Sequence, residues 1–451
     1  MVRPTEENNA LSANIDVLDL DDMVNVFAKV DHQLFEPWGG AEDYTFDTQS
    51  DNIEQLAKAI HDAIANKRTI VLGGCGTSGR LGFFVTRKFN RLLNKANKHP
   101  AFAYSLAGGD EAIFVSNEIV EDSPQMGASD LSQFDAIGAY VGITCGLSAP
   151  YVAGQLVASM EKEYNTFLLG HNPPNKAKPN KIEKWDSTFL ATVEKLQQYA
   201  KGTLITPVFG GECISGSSRM KGGSGTLITL FTAFLRAMAL TDGLDKMSVA
   251  TILEAFKESV HHLYETNKSQ IVTLIDIYGE TLKNNGHVRY CGTSDYGVLA
   301  LIDSSECPPT FGADFNDIRG FILDGWQDMD NKKGELEMTH EQLEITLEDC
   351  YNKSQGQHNA HLVLAFDADS EKLIPRVKNR ASGLQGNIHY LTLNNEKAEC
   401  ADGLQFKLID NHHKSGQDAF DQMLQNCQRN LQCKLVSFFF KNIFSESENG
   451  E

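Results

Sequence analysis

The 451-residue chain lacks an excess of basic residues, and this limits the partners that it can take. Lys and Arg number 40 against 60 Asp and Glu, so the formal net charge is −20 at pH 7. Broad contact with nucleic acid or with an anionic membrane surface requires basic patches. We therefore expect neither partner. A small anionic ligand is still compatible with this charge, because a few backbone N–H groups can bind one locally.

The chain also lacks a disulfide pattern. Its nine cysteines are an odd number, they extend from Cys75 to Cys433, and no two of them form a C-x-x-C pair. This usage predicts reduced thiols in a cytoplasmic protein. The adjacent histidines at 261–262 and 412–413 point apart on a helix or strand, so we expect no metal site. We expect no cofactor either.

Long apolar runs are missing as well. The N-terminal residues are polar and show no apolar region typical of a signal peptide. The longest apolar run, at 227–240, has 14 residues and contains Arg236. Since a bilayer-spanning helix needs about 20 apolar residues, we expect a buried core helix in a soluble protein.

Helical patterns alternate with short apolar runs that end in glycine. A helix at 53–65 precedes a strand at 69–72, a glycine-rich turn and a further helix. This order is typical of an α/β domain with a mostly parallel, doubly wound sheet. Further strands are predicted at 101–106, 139–144, 203–208, 287–290, 361–366 and 389–393.

The pattern restarts in the second half, after helical stretches at 247–267 and 270–284. Residues 291–294 repeat the letters CGTS of residues 75–78, which indicates a domain duplication. With no Pro- or Ser-rich linker between the halves, we expect them to pack as a pseudo-dimer. The predicted division is an N-terminal helical segment (1–50), a first α/β domain (51–245), a helical connector (246–285), a second α/β domain (286–445) and an acidic tail (446–451).

Three Ser/Thr/Gly turns follow predicted strands of the first domain, at 73–82, 144–150 and 215–223. In the second turn Ser148 is the predicted cap of a helix at 151–163, with Pro150 in its first turn. The carboxyl ends of parallel strands meet at one edge, so the turns together favour an anion site over three ligand-free turns. The candidate binding residues are Gly76, Thr77, Ser78, Gly79, Arg80, Thr144, Gly146, Ser148, Ser217, Ser218, Arg219 and Lys221.

Three glutamates are candidates for mechanism. Glu118 and Glu121 lie one helical turn apart, and Glu306 precedes what we expect to be a rigid turn at Pro308-Pro309. A carboxylate beside a bound ligand can accept hydrogen bonds from its hydroxyls or act as a general acid or base. The alternative for each glutamate is an ordinary solvated loop residue.

Four segments in order, GCGTSGRLG (74–82), GLSAP (146–150), SGSSRMKGG (215–223) and ECPPTFGADFNDIRGF (306–321), resemble known sugar-isomerase-type (SIS) domains. These are the domains of the glucokinase regulatory protein family and of the N-acetylmuramic acid 6-phosphate etherases. The resemblance extends over about residues 5 to 440. Its tandem arrangement is closer to the regulatory proteins than to the single-domain etherases.

This resemblance implies two flavodoxin-like domains and a hexose phosphate ligand. Ser78 with its loop, Thr144, Ser217 and Ser218 match positions that hold the sugar phosphate in the family. Glu121 and Glu306 match the acid and base glutamates proposed in the etherases. The regulatory proteins respond to fructose 6-phosphate and fructose 1-phosphate and inhibit glucokinase, so a sugar kinase is an implied partner. A nuclear location is also compatible with the resemblance.

The chain departs from the family pattern in ways that shape these expectations. In etherases the ECPPT segment and GTSGR occur in one domain, whereas here the first repeat reads TRKFN at 86–90 and the second lacks the Arg. This implies a composite site with phosphate on domain one and Glu306 from domain two. Regulatory proteins also continue into a helical C-terminal domain, whereas this chain ends at Glu451.

Two functions from different classes follow. The first is a non-catalytic sugar-phosphate sensor. The second is a carbon–oxygen lyase that releases D-lactate from N-acetylmuramic acid 6-phosphate with Glu121 and Glu306. An aldose–ketose isomerase is a third, less favoured option.

Overall fold

The computed structural model describes residues 2–214, 220–337, 341–354, 360–366, 388–393, 404–406 and 414–441. They fall into two compact units. The first comprises Met1–Ala13, Lys29–Glu258 and Asn411–Gln428, and the second comprises Asn14–Ala28, Ser259–Asp410 and Arg429–Glu451.

A five-stranded parallel sheet forms the centre of the first unit. Its strand order is β2-β1-β3-β4-β5. Continuous apolar runs such as Ile70, Val71 and Leu72, each at most 2% exposed, suit strands that are covered on both faces. The strands are β1 (Thr69–Gly74), β2 (Phe102–Leu106), β3 (Ile137–Ile143), β4 (Asn165–Leu169) and β5 (Gly202–Ile205).

Helices flank this sheet and connect its strands. Two of them, α3 and α8, stack through Phe89 and Phe234, whose ring centroids are 4.0 Å apart. The helices of the first half of the chain are α1 (Leu20–His32), α2 (Ser50–Ala65), α3 (Gly76–Lys95), α4 (Glu118–Glu121), α5 (Pro124–Leu131), α6 (Pro150–Glu161), α7 (Phe189–Gln198), α8 (Met220–Asp242) and α9 (Val249–Lys283).

Helix α8 contains the long apolar run. The helix has 23 residues and is long and apolar enough to cross a membrane by length and composition, so the expectation that it is too short was wrong. Within the protein, however, 89% of its most apolar window is buried. The expected buried core helix is therefore what the structure shows.

The second unit repeats the parallel sheet. Its strand order, β10-β9-β8-β6-β7, is the order of the first sheet read from the opposite edge. This confirms two domains with parallel sheets and flanking helices. The elements of the second half of the chain are β6 (His287–Gly292), α10 (Ser294–Phe311), β7 (Ile318–Ile322), α11 (Leu347–Ser354), β8 (Ala360–Phe366), β9 (Ile388–Leu393), β10 (Leu404–Phe406) and α12 (Asp418–Lys441).

Two local predictions were wrong. Pro308 and Pro309 do not form a turn but lie in the last turn of α10, which ends with Gly312 in the left-handed conformation. Proline has a φ close to the helical value, so a helix can include it at the cost of the missing N–H hydrogen bonds. Ser148 does not cap α6, because the N-cap is Ala149, which makes no side-chain hydrogen bond; Pro150 does lie in the first turn.

The connecting helices agree with expectation, whereas three strands, β4, β7 and β10, were not predicted. The two helices predicted at 247–267 and 270–284 are the two parts of α9, which meet in a kink at Asn267, where the dihedral angles are non-helical. Strand β4 was missed, because its five residues, NTFLL, begin with two polar residues and directly follow α6. Its omission hid the turn that follows β4.

A candidate anion site at the carboxyl edge of the first sheet

The turns after β1 and β3 lie together at the carboxyl edge of the first sheet. Ser78 Oγ in the first turn is 3.7 Å from Cys145 Sγ in the second. Cys145 Sγ is in turn 3.8 Å from Thr226 Oγ1 of α8. The structure thus brings the first two predicted turns and α8 to one place. Ser217, Ser218 and Arg219 of the third turn lie outside the described residues.

The first turn places the start of α3 against the end of β1. Gly76 has a φ of +45°, a left-handed conformation that glycine adopts without steric cost. Gly79 passes so close to the strand that a Cβ on it would lie 2.6 Å from the Gly74 carbonyl oxygen. Only glycine fits this approach. These glycines bring the first turn of α3 directly onto the sheet edge, with Thr77 and Ser78 in that turn.

The N-terminus of α3 is not capped by the side chain of its own N-cap residue. Its N-cap residue, Cys75, makes no side-chain hydrogen bond to the helix. By contrast, α4, α5 and α7 are capped by Asn117, Ser123 and Thr188. The first N–H groups of a helix have no intrahelical acceptor and carry the positive end of the helix dipole. The start of α3 is therefore suited to an anion.

Arg80 organises this site from within the protein. Its side chain is 2% exposed, and its Nε donates to the Ala112 carbonyl at 2.9 Å. Its Nη2 donates to Ser116 Oγ at 3.1 Å. Arg80 therefore ties the first turn of α3 to the segment that leads into α4, the helix that carries Glu118 and Glu121.

Of the two glutamates on α4, Glu121 is the one beside the first turn. A Cβ built on Gly76 would lie 3.8 Å from Glu121 Oε1. Burial raises the pKa of the Cys75 thiol, and the carboxylates of Glu121 and Asp122 raise it further. Cys75 is therefore a protonated thiol rather than a nucleophile. Glu118 is exposed on the same short helix.

The second turn is tightly held. Thr144 is 5% exposed, and its Oγ1 accepts a hydrogen bond from the Ser148 N–H at 3.3 Å. Leu147 has a φ of +50°, and its N–H donates to the Thr144 carbonyl at 3.0 Å. The Gly146 carbonyl accepts from Asn172 Nδ2 at 3.1 Å. Helix α6 follows without a side-chain cap.

His171, which follows β4, makes buried contacts at this edge of the sheet. Burial lowers its pKa to about 4, so the ring is neutral and only one nitrogen carries a proton. Nδ1 faces the Pro207 carbonyl at 3.0 Å, which can only accept, so we assign the proton to Nδ1. Nε2 lies 3.0 Å from Thr226 Oγ1, whose hydroxyl donates to the Gly222 carbonyl at 2.9 Å. A chain of contacts thus runs from His171 through Thr226 and Cys145 to Ser78.

The start of α8 is already occupied by a protein carboxylate. Glu212, 5% exposed, accepts the backbone N–H groups of Lys221 at 2.6 Å and of Gly222 at 3.1 Å. The Lys221 ammonium donates to Gln33 Oε1 and to the Phe209 carbonyl, both at 2.9 Å. Burial lowers the pKa of Lys221 to about 8. The predicted ligand contact of Lys221 stays a prediction, since its ammonium has these protein acceptors.

Sequence reasoning missed Glu212, His171 and Asn172. The two residues after β4 were overlooked because that strand was not predicted. Once a strand is placed at 165–169, polar residues directly after its carboxyl end become candidates. Glu212 follows the Gly210-Gly211 turn after β5, which is the available signal for it.

Glu306 belongs to the second unit. It lies on α10 and is 6% exposed. One turn earlier, Asp303 accepts a hydrogen bond from the buried Tyr290 hydroxyl at 2.8 Å. The solvated-loop alternative is therefore wrong for Glu306, which is a buried helical residue. Its predicted role in a composite site stays a prediction.

Comparisons with known proteins match both repeats. The family model for the glucokinase regulatory protein N-terminal SIS domain matches residues 52–160. The model for the second SIS domain of the same protein matches residues 265–400.

Individual relatives agree with these matches. The glucokinase regulatory protein of Homo sapiens is 35% identical over 408 residues, covering 85% of this chain and 65% of the relative. The N-acetylmuramic acid 6-phosphate etherase of Edwardsiella ictaluri (strain 93-146) is 29% identical over 315 residues, covering 67% of this chain and 91% of the relative. The matched region spans 65 to 66% of the curated regulatory proteins.

A solved structure shares the fold. The C-terminal domain of glucosamine-fructose-6-phosphate aminotransferase from Francisella tularensis aligns with a TM-score of 0.54 at 12% sequence identity. The alignment covers 96% of this chain and 98% of the other. At this identity the likeness concerns the fold alone.

Proposed function

Because the chain belongs to the glucokinase regulatory protein family, we propose that it is a non-catalytic sugar-phosphate sensor. Its ligand is a hexose phosphate such as fructose 6-phosphate or fructose 1-phosphate. The ligand binds at the carboxyl edge of the first sheet and favours one conformational state of the protein. A partner protein recognises this state. A partner can respond to the ligand only if the two protein states bind the ligand with different affinities.

The observation that carries this proposal is the start of α3. The N-cap residue, Cys75, does not cap this helix with its side chain, and Ser78 in its first turn lies 3.7 Å from Cys145 of the second turn. Backbone N–H groups at a helix start bind phosphate well. Because Glu212 fills the start of α8, we place the phosphate on α3. Glu121 lies beside Gly76, where its carboxylate can contact sugar hydroxyls.

Isothermal titration with fructose 6-phosphate and fructose 1-phosphate tests the proposal. We expect saturable binding by the wild-type protein. A Ser78→Ala variant loses a hydrogen bond to a charged group, which corresponds to an affinity about 10-fold to 100-fold weaker. Ser132→Ala removes an exposed hydroxyl at the end of α5 and is the matched control. Equal affinities of the two variants would contradict the placement of the phosphate.

The partner that we propose is a sugar kinase. The relatives are named as regulators of glucokinase, and this chain shares 32 to 35% of its residues with them over the matched region. Glucokinase activity measured with increasing amounts of the chain, with and without fructose 6-phosphate, tests this step. Inhibition that depends on the sugar phosphate supports the kinase as partner. Activity that is unchanged at all concentrations refutes it.

The second candidate is an N-acetylmuramic acid 6-phosphate etherase. The position of Glu121 beside Gly76 favours it, because a carboxylate next to a phosphate loop can move a proton. Etherases also match this chain at 26 to 29% identity. D-lactate release from N-acetylmuramic acid 6-phosphate tests it. Turnover that is lost in Glu121→Gln and Glu306→Gln would establish the lyase and displace the sensor as primary function.

A further inference from the structure

The N-terminal residues of the chain contact every described turn of the proposed site except the first. We propose that residues 3–12, the N-terminal strap, are a positioning element of the sugar-phosphate site and act through Asn172. This inference rests on the proposed function. It assigns to the strap the task of holding the turn at 144–148 in its binding conformation.

Asn172 is the junction between the strap and the second turn. It is fully buried, and both of its amide N–H groups are used. Nδ2 donates to Thr5 Oγ1 at 2.9 Å and to the Gly146 carbonyl at 3.1 Å. Oδ1 accepts the Thr5 backbone N–H at 3.1 Å, which determines the orientation of the amide. The side chain therefore relates the position of Thr5 directly to that of Gly146.

Arg3 strengthens the same connection. Its Nη1 donates to the Gly146 carbonyl at 3.0 Å, so this oxygen accepts from both Arg3 and Asn172. A carbonyl oxygen has two lone pairs, and here the protein uses both. The Gly146 carbonyl oxygen therefore accepts from the strap and from Asn172. Any contact of this turn with a ligand must come from atoms other than this oxygen.

The second turn needs such support because its backbone is strained. Leu147 has a φ of +50°, a left-handed conformation that costs a residue with a Cβ about 1 kcal/mol or more. Strain of this kind persists only where the surrounding structure enforces it. The peptide between Gly146 and Leu147 is held on both sides, by the strap and Asn172 at its oxygen and by the Thr144 carbonyl at its N–H.

The strap also holds the turn before α8. Asn9 Nδ2 donates to the Gly211 carbonyl at 3.1 Å, and Ser12 Oγ donates to the Cys213 carbonyl. A Cβ on Gly211 would overlap the Glu7 carbonyl oxygen, so the two backbones are in direct contact. Glu212, which caps α8, lies between these two anchored residues. One segment therefore supports two parts of the proposed edge.

Thr5 offers the cleanest test. Thr5→Val keeps the shape of the side chain and the backbone N–H but removes the hydroxyl that Asn172 uses, whereas Thr5→Ser keeps the hydroxyl. Losing one hydrogen bond of this kind weakens fructose 6-phosphate binding by about fivefold in the valine variant. The serine variant restores binding to within about twofold of wild type.

Asn172→Ala and Asn165→Ala form a matched pair. Asn165 is the first residue of β4 and donates to the Gly138 carbonyl, and Asn172 follows the carboxyl end of β4 and donates to the Gly146 carbonyl. We expect Asn172→Ala to weaken binding by about 10-fold or more, and Asn165→Ala to leave it unchanged. Affinities are compared well below the melting temperature of each variant, so that loss of folded protein does not enter.

Hydrogen exchange supplies two readouts, and a purely structural role of the strap would not give the second one, which depends on the ligand. Without ligand, Thr5→Val should increase exchange at the backbone N–H groups of 147 and 148, while exchange in β1 stays the same. By linkage, saturating fructose 6-phosphate should slow exchange in residues 5–12 of the wild-type protein.

The possible outcomes distinguish failure of the proposed function from failure of this inference alone. Wild-type protein that binds no sugar phosphate overturns the proposed function and this inference with it. Wild-type binding with equal affinities of Thr5→Val and Thr5→Ser, and unchanged exchange at 147 and 148, overturns the inference alone. The expected pattern of weakened valine, restored serine and faster local exchange supports it.

Discussion

The strand–turn–helix unit β1–α3 of the first repeat and the unit β6–α10 of the second repeat have the same backbone and different chemistry. The strands Thr69–Gly74 and His287–Gly292 have equal lengths, and the helices begin at Gly76 and Ser294. The register is therefore an offset of 218 residues. Both helices begin with a left-handed residue, with φ of +45° at Gly76 and +48° at Ser294.

The register of the structure differs from the one that the letters indicate. The repeated CGTS would pair Cys75 with Cys291, an offset of 216 residues, which differs from the structural register by two positions. The structural register between the two repeats follows from the glycine in each helix that lies closest to the end of its strand. A Cβ on Gly79 would lie 2.6 Å from the Gly74 oxygen, and a Cβ on Gly297 would lie 2.6 Å from the Gly292 oxygen.

In this register the side chains of the two turns are not equivalent. Asp295 and Tyr296 occupy the positions of Thr77 and Ser78. A carboxylate at the start of a helix disfavours a second anion there by like-charge repulsion. The comparison shows that the fold retains the close glycine contact in both repeats, whereas only the first carries Thr and Ser, rather than Asp and Tyr, at these two positions.

A second pair of equivalent positions has reversed charge. Lys88 of α3 corresponds to Glu306 of α10, and the two are 1% and 6% exposed. Lys88 Nζ donates to Asn426 Oδ1 at 2.5 Å and lies 6.0 Å from the Phe231 ring centroid. The buried ammonium of the first repeat thus stands where the second repeat carries the glutamate that the family resemblance assigns to chemistry.

The largest predicted effect comes from exchanging this charge. Lys88→Glu places a carboxylate against the Asn426 amide oxygen in a buried site, and we expect a loss of about 3–5 kcal/mol in the free energy of unfolding. Lys95→Glu, at the exposed end of the same helix, should cost less than about 1 kcal/mol. Urea unfolding of both variants measures the difference. Similar losses would show that the buried ammonium is not a distinguishing feature of the first repeat.

The next-largest effect is expected in the pH dependence of the free energy of unfolding, through His171 at the edge of the first sheet. The pKa of His171 is lowered from 6.5 to about 4 by burial, so between these pH values the unfolded chain binds a proton that the folded site does not. The free energy of unfolding therefore falls as pH decreases from 6.5 to 4, by about 3 kcal/mol from this residue. His171→Gln should flatten this decrease, and the exposed His99→Gln should not. Parallel pH profiles of His171→Gln and wild type would contradict the assignment.

Gly79→Ala and Gly297→Ala should separate stability from binding. In either variant the new Cβ would overlap a backbone carbonyl, and we expect each to destabilise the protein by about 1–3 kcal/mol. Only Gly79→Ala should also weaken fructose 6-phosphate binding. Thermal unfolding and calorimetric titration measure the two properties. An equal loss of affinity in both variants would mean that the second turn also binds the ligand.

The smallest effect is expected from the first residues of the two helices. Ser294→Gly relieves a left-handed conformation and should stabilise the protein by up to about 1 kcal/mol, whereas Gly76→Ser should destabilise it by a similar amount. Chemical unfolding of the two variants gives the comparison. Changes of the same sign would argue against equivalent backbone positions.

The sequence predicted the α/β class, the duplication and most strands, because apolar runs ending in glycine report directly on buried parallel strands. It also predicted that Ser78 and Thr144 lie at one edge. It could not predict Asn172 and His171, since the short β4 was hidden after α6. Nor could it predict that Glu212 fills the start of α8, because that contact depends on the approach of a turn to a helix ten residues later.

The stoichiometry of fructose 6-phosphate binding tests the central claim most directly. Calorimetric titration of the whole chain should give one equivalent per chain, and Ser78→Ala should lower its affinity by about 10-fold or more. The corresponding change in the second turn, Tyr296→Ala, should leave the affinity of the folded protein unchanged. Two equivalents per chain, or a single site that depends on Tyr296 and not on Ser78, would contradict the assignment of the ligand to the first repeat.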